Sequence, residues 1–308
     1  MEVRLQEIEL LPDHAEADYH AELRTAIAAV RAGAAAIMPV YRAAEGFTAN
    51  AKNDGSPVTV ADLASDAAIR ATITADWPAD GLLTEEGLDD GSRLRHERVW
   101  IADPLDGTRE FVARSDDFDV FVGLVVDGAP VVGVSCHPPT GQVLYAVAGH
   151  GAWSLGPEDT VQRVTLPRPI HATRVVTSPY FGAPAIVPTL ESALASLPLD
   201  HVEVIGPGFH PRHFAPADGG PPLFDVFIAG VTDAYLSGGE WDAVVTDLFV
   251  REAGGMFSDL WGEPYRYNKP VARNMYGYVA SVDPQLHLEV LAHLRHARPG
   301  DKPDPSDW

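Results

Sequence analysis

The sequence predicts an α+β / α/β fold in two halves. Helices pack on a largely antiparallel sheet in the first half, and strands alternate with helices in the second. Three observations carry this reading. An Ala-rich stretch from Tyr19 to Arg42 repeats Leu23, Ile27, Val30, Ala34 and Ile37 at three- and four-residue steps, the period of one helix face. Between Val120 and Leu155, short runs rich in β-branched residues are cut by tight turns, Asp127-Gly128 being the first. Beyond Pro167–His171, the best linker candidate, the texture becomes strand, helix, strand. The divisions that follow are 1–168, 169–297 and a Pro/Asp-rich tail, 298–308, expected to fray.

Taken in order, residues 1–18 are acidic and expected to be partly ordered at best. Pro39 is placed to kink or end the first helix. A polar loop, 44–60, leads to a second helix over Ala61–Thr74, with Thr59 as N-cap and Asp62 three residues on, as in a capping box. Gly81–Thr84 is a short strand ending in Glu85-Glu86. Val99–Ala102 is a buried strand meeting a tight turn at Asp103-Pro104-Leu105-Asp106-Gly107, with one helical turn over Arg109–Ala113. Strands follow at Val120–Val126, Ala129–Cys136, Gln142–Ala148 and Ala152–Leu155. In the second half the expected strands are Arg174–Thr177, Val202–Ile205, Phe224–Ala229, Asp233–Leu236, Met256–Asp259 and Tyr278–Ala280. The expected helices are Ala185–Leu197, Asp242–Ala253, stopped by Gly254-Gly255, and Asp283–His296. Residues 206–222 form a long Gly/Pro loop, of the length that is usually functional or disordered.

Composition narrows the function classes. The chain of 308 residues carries a formal charge of −22, so no basic stripe serves a nucleic-acid polymer, although a small phosphorylated substrate remains compatible. The single cysteine, Cys136, rules out an internal disulfide framework and fits a reducing, cytoplasmic setting; its apolar surroundings mark a buried strand residue rather than a nucleophile. The N-terminus lacks the basic and apolar regions of a signal peptide, and no apolar run of membrane-spanning length is evident, so no membrane partner is expected.

The chemistry gathers around Val99–Phe111. Asp103 and Asp106 stand three residues apart, and two carboxylates that close need a shared proton or a cation. Oxygen ligands of this kind suit a hard metal such as Mg²⁺; a solvated acidic turn is the plain alternative. Asp62, Glu85, Glu86 and Asp242 supply further carboxylates at helix starts and strand ends. Each singly is ordinary, since helix first turns favour carboxylates anyway, but together they are able to converge on a metal.

The ordered set K-x-D-x-S-P-V-T-x-A-D, then E-E, W-I-x-D-P-L-D-G-T-x-E-F, W-D-A and E-A-G-G resembles the inositol monophosphatase superfamily over roughly residues 20–290. The resemblance implies a layered αβαβα sandwich with the site between the halves, and a Mg²⁺-dependent, Li⁺-inhibited phosphate monoesterase. It implies metal ligands at Glu85, Asp103, the Leu105 carbonyl, Asp106 and Asp242, for two or three ions, with Asp103 bridging two of them. Thr108, Glu85, Asp62 and Thr59 then orient and deprotonate a water activated by the metal, which attacks phosphorus in line. The N–H groups of Gly107 and Thr108 hold the phosphate. Many members pair as homodimers, an expectation carried over with the rest.

The D-G-T-R-E-F variant is similar to the 3′(2′),5′-bisphosphate nucleotidase branch, which implies removal of a ribose 3′-phosphate from a nucleotide. An inositol, sugar or histidinol monophosphatase is the alternative, and a non-catalytic scaffold is the alternative of another class. The second half departs from the nucleotidase pattern at Thr177-Ser178-Pro179-Tyr180 and Gly206-Pro207-Gly208-Phe209, where Ser178, Tyr180 and Gly208 are the candidate substrate contacts. In the long loop, His210, Arg212 and His213 are placed either to meet a second phosphate or carboxylate, or to be incidental charges on a solvated loop. Phe209, Phe214 and Tyr180 read equally as base-stacking or packing residues.

Overall fold

The structure, a computed structural model, describes residues 9–11, 18–43, 50–51, 57–156, 158–168, 173–177, 183–197, 199–204, 209–217, 219–229, 238–273 and 276–297. In the first half, α1 (His20–Arg42) is followed by the two-stranded ribbon β1 (Asn50–Ala51) and β2 (Pro57–Val58), then α2 (Val60–Asp76), β3 (Gly81–Thr84), β4 (Arg98–Asp106) and α3 (Thr108–Ala113). The meander β5 (Asp119–Val126), β6 (Ala129–His137), β7 (Gln142–Val147), β8 (Gly151–Leu155) and β9 (Val161–Val164) completes it. The second half contains β10 (Thr173–Thr177), α4 (Ala183–Ala193), β11 (Leu199–Val204), α5 (Pro211–Phe214), β12 (Val226–Ala229), α6 (Val244–Glu252), β13 (Met256–Ser258), β14 (Tyr278–Ser281) and α7 (Pro284–Leu294).

Strands β3 to β9 form a seven-stranded sheet in chain order, antiparallel except for the parallel β3–β4 pair. The other sheet is five-stranded and mixed, ordered β11-β10-β12-β14-β13. Alternation along the strands explains the layering. In β4, Trp100 and Ala102 join the core under α1 and α2, whereas Val99 and Ile101 join a second core on the opposite face. That second core also holds Val244 and Val245 of α6 and Phe227, Phe257 and Tyr278 of the five-stranded sheet. On the far side of that sheet, Val226 and Ile228 pack with Leu190 of α4 and Val290 of α7. The result is an αβαβα stack. Helix α6 sits tight in the middle: a Cβ at Gly133 would lie 3.3 Å from the Val245 backbone, and one at Gly123 would lie 3.1 Å from Val244.

Helix α1 is long and apolar enough to cross a membrane on length and composition alone. Its apolar stripe, however, is buried in the core beside α2 and the first sheet. Pro39 lies inside α1, which runs on to Arg42, so the proline does not end it. Leu10 and Leu11, in the stretch expected to be partly ordered, are fully buried.

Several boundaries correct the sequence reading. Strand β4 does not stop at Ala102. It continues to Asp106 through a bulge at Pro104-Leu105, where proline has no N–H to pair, and its pairing with β5 resumes at Asp106↔Asp119. The loop over 206–222 carries the helical turn α5, started by Pro211 at its first position. The helix expected from Asp242 is split: Glu240–Asp242 form a 3-10 turn, and α6 begins at Val244. Strand β9 was not anticipated, because Val161–Val164 lies half exposed at a sheet edge and shows no apolar alternation. The expected strand at Asp233–Leu236 and most of the linker Pro167–His171 lie outside the described residues.

Candidate active site

Alternation along β4 places Asp103 on the same face as Val99 and Ile101, between the first sheet and the α6 layer, and it is buried. The bulge then turns the chain so that Asp106 comes back beside Asp103. Ser65 of α2 donates to the Pro104 carbonyl at 2.7 Å, and the Leu105 N–H donates to Asp103 Oδ1 at 2.9 Å, which fixes the bulge from both sides. The third carboxylate comes from the other half. Asp242 closes the 3-10 turn and accepts from the Gly239 N–H at 2.5 Å. That turn is held by the buried Glu240, which accepts from the Asn268 and Lys269 N–H groups and from Lys269 Nζ at 2.6 Å.

Asp103, Asp106 and Asp242 offer carboxylate oxygens within 4.8 Å of one another. Burial, then the charges of Glu85, Asp106 and Asp242, push the Asp103 carboxyl well above the usual carboxylate range. Burial, then Asp106 and Glu85, do the same to Asp242. Glu85 follows β3 and extends its pairing by donating its N–H to the Ala102 carbonyl at 3.2 Å. Asp106 Oδ2 is buried without a hydrogen-bond partner. Three clustered carboxylates, two of them with raised proton affinity, and the charge of Glu85 acting on both make a donor set that suits a hard divalent cation. Asp103, Asp106, Asp242 and Glu85 therefore fit the ligand role read from the sequence.

The capping box forms as expected and does more than cap. Asp62 Oδ2 accepts from the Thr59 N–H at 2.7 Å and from Thr59 Oγ1 at 2.6 Å, while Asp62 Oδ1 accepts from Thr108 Oγ1 at 3.0 Å. The Leu105 carbonyl lies 3.1 Å from the same Thr108 hydroxyl. Burial raises the proton affinity of Asp62, partly offset by the hydrogen bonds from Thr59 and Thr108. Gly107 takes φ 88°, and a Cβ there would come within 2.8 Å of the Asp117 carbonyl, so both its conformation and its space require glycine. With Thr108 it begins α3, beside the carboxylates.

The long loop gives a different picture from either sequence alternative. Ser178, Tyr180 and Gly208 lie outside the described residues. His210 and His213 are buried rather than solvated, and Arg212 is largely so. His210 Nε2 lies 2.6 Å from Asp106 Oδ2, off the angle of a formed hydrogen bond, and its Nδ1 lies 2.6 Å from Asp119 Oδ2. Arg212 Nε donates to Asp119 at 2.6 Å, and its Nη2 donates to Asp117. His213 Nε2 is 3.5 Å from Asp117, and its ring stacks on that of His210.

Burial pulls the His210 imidazole down, but Asp119 and Asp106 outweigh it and lift it to about 9. Burial lowers His213 to about 4. For Asp119, burial is outweighed by Arg212 and His210, and the carboxyl stays well below the usual range. Asp117, His210 and His213 have metal-like spacing, yet the Arg212 guanidinium already brings positive charge against that carboxylate. Phe209 and Phe214 settle as packing residues in the aromatic core with Phe227, Phe257 and Tyr278. Asp119 was not anticipated. Its signal is the alternation of β5, which puts it on the same face as Phe121, toward the site.

A sequence model described as the inositol monophosphatase family matches residues 18–298. The 3′(2′),5′-bisphosphate nucleotidase CysQ of Aggregatibacter actinomycetemcomitans is 31% identical over 232 residues, 72% of this chain and 79% of the relative. A Streptomyces griseus protein named glucose-1-phosphate thymidylyltransferase is 32% identical over 216 residues, 68% of this chain and 76% of that one. The crystal structure of CysQ from Bacteroides thetaiotaomicron superposes with a TM-score of 0.67 at 26% identity, covering 86% of this chain and 98% of that one. With the buried acidic centre and the Thr59–Asp62–Thr108 chain beside it, these matches show that this chain belongs to the inositol monophosphatase family and is a phosphatase.

Proposed function

We propose that the chain is a Mg²⁺-dependent phosphatase that removes a phosphate, a ribose 3′-phosphate by preference, from a nucleotide or nucleoside-derived substrate. The observation that carries the reaction is the hydroxyl of Thr108, set between the acidic centre and the buried Asp62 carboxylate. Bound at Asp103, Asp106, Asp242, Glu85 and the Leu105 carbonyl, Mg²⁺ supplies positive charge against the phosphoryl oxygens and the departing oxygen.

The chain's own groups handle the proton and the orientation. Thr108 donates to Asp62 and keeps lone pairs with which to accept a hydrogen from an attacking water. As the water gives a proton to Thr108 Oγ1, the threonine passes its own to Asp62 Oδ1, whose proton affinity burial has raised. Thr59 holds the other Asp62 oxygen with two hydrogen bonds, so the acceptor stays in place. The water oxygen attacks phosphorus opposite the ester oxygen, the P–O bond breaks, and the alcohol leaves with a proton from solvent. The amides at Gly107 and Thr108, where α3 starts, are the groups we assign to the phosphate. No covalent bond to the protein is required, and Li⁺ inhibition is expected with the Mg²⁺ site.

The nucleotide preference draws its support from the Aggregatibacter relative, a 3′(2′),5′-bisphosphate nucleotidase by name. A sugar phosphate is the second reading, favoured by the glucose 1-phosphate in the name of the Streptomyces relative. Phosphate release with Mg²⁺ from adenosine 3′,5′-bisphosphate, 3′-nucleotides, inositol 1-phosphate, histidinol phosphate and glucose 1-phosphate separates them. The expected result is a kcat/KM for a 3′-phosphorylated nucleotide at least about tenfold above the others. Equal, slow rates on all five would remove the nucleotide preference.

A further inference from the structure

The backbone of His210 is fixed on both sides. Before it, the Phe209 carbonyl accepts from Thr246 Oγ1 of α6 at 2.7 Å, and the Phe209 ring sits in the aromatic core. After it, Pro211 opens α5. The imidazole is fully buried, edge-on to Phe121 and stacked on His213. Its two nitrogens therefore have little freedom to choose partners.

Those partners limit the hydrogens that the ring can carry. Arg212 Nη2 and Asp119 Oδ2 both lie 2.6 Å from Nδ1, and Asp106 Oδ2 lies 2.6 Å from Nε2. If Nδ1 accepts from the guanidinium, the ring's one hydrogen is on Nε2. If Nδ1 carries a hydrogen for Asp119, a bare Nε2 would set a lone pair against a carboxylate oxygen, so the ring is protonated at both nitrogens. In either state Nε2 carries a hydrogen and lies 2.6 Å from Asp106 Oδ2, close enough to donate after a small turn of the ring. The donors of Arg212 that the structure places, Nε and Nη2, go to Asp119, Asp117 and the His210 ring. Ser135 holds the remaining Asp119 oxygen at 3.0 Å.

We propose that His210, backed by Asp119 and Arg212, is a positioning residue for the carboxylate of Asp106. Its ring lies 2.6 Å from Oδ2 and would hold the Asp106 carboxylate in place beside Asp103 and Asp242, where a divalent cation would bind. The proposal rests on the metal-centre reading given above. Partners behind a ligand set its orientation and commonly change metal affinity 10- to 100-fold when removed. A loop that the sequence offers as substrate-binding thus becomes the support of the metal site.

The test is Mn²⁺ binding to the full chain without substrate, followed by the paramagnetic resonance signal of free Mn²⁺. His210→Leu removes the donor and is expected to weaken binding about 10- to 100-fold, whereas His210→Gln, which restores an N–H near Nε2, stays within about threefold of wild type. Should His210→Leu not fold, Asp119→Asn, which removes the charge behind the ring, is expected to weaken Mn²⁺ binding several-fold. Wild-type Mn²⁺ affinity in His210→Leu, or in Asp119→Asn where that variant carries the test, overturns the proposal. A raised substrate KM with unchanged Mn²⁺ binding points back to direct substrate contact and overturns it equally. Failure of the wild-type chain itself to bind Mn²⁺ overturns instead the reading of the acidic centre.

Discussion

At Thr108 a single hydroxyl connects the acidic centre to Asp62, and it is reached from two directions in the sequence. The helix start at Thr59–Asp62 and the strand end at Leu105–Thr108 are 46 residues apart across the bond from Thr108 to Asp62. Removing the hydroxyl should cost catalysis and little else. Thr108→Ala is expected to lower kcat by roughly 10²- to 10³-fold with Mn²⁺ affinity almost unchanged, while Thr108→Ser keeps most of the rate. Steady-state kinetics beside Mn²⁺ titration check this, and a variant that loses Mn²⁺ binding in proportion to rate would show Thr108 to be structural. Residues of this kind were legible because their roles sit in short local patterns: a capping box, and two carboxylates flanking a proline. The role of Asp119 was not legible. Its partners His210 and Arg212 are 91 and 93 positions away, and a lone carboxylate at a strand start says nothing about which cation will reach it.

Among the elements, β4 is the one whose misreading matters most. Its apolar alternation ends at Ala102, but backbone pairing with β5 continues to Asp106, and the bulge is what brings the two carboxylates together. Periodicity gave α1, α2 and the meander because each buries one clear face. It failed for β9 and α5, which are short and held by neighbours rather than by a pattern of their own. Helix α7 offers an element-level test. His287 docks it on the sheet, lying 2.8 Å from Ser258 Oγ of β13 and 3.1 Å from Ser281 Oγ of β14.

Burial lowers the His287 imidazole to about 4, so the folded protein keeps it neutral where the unfolded chain, near 6.5, takes up a proton. The stability tied to this group is therefore complete above about pH 6.5 and is lost as pH falls toward 4, by up to about 3 kcal/mol. Denaturant unfolding at pH 7 and pH 4.5 should show a smaller acid loss for His287→Gln than for wild type. Equal losses would remove His287 as a source of the pH dependence.

At the scale of the whole molecule, the acidic centre is the place where the two halves meet. Asp103 and Asp106 come from the seven-stranded sheet, Asp242 comes from the turn leading into α6, and the core beneath them draws residues from both sheets. Without a cation, mutual repulsion among buried carboxylates opposes that junction, on a chain whose net charge is already −22. A cation bound there should stabilise the fold by mass action, by about 2.7 kcal/mol at a concentration 100 times its Kd. Thermal unfolding is thus expected to shift upward with Mg²⁺ by more than with Na⁺ at matched ionic strength, since diffuse screening acts through either salt. Asp242→Asn keeps an oxygen for the Gly239 N–H but removes one charge. It should raise the melting temperature of the metal-free protein and abolish the Mg²⁺-specific shift. A Mg²⁺ shift of wild-type size in Asp242→Asn would mean that the ion acts elsewhere on the surface, and the junction would have to be held by packing alone.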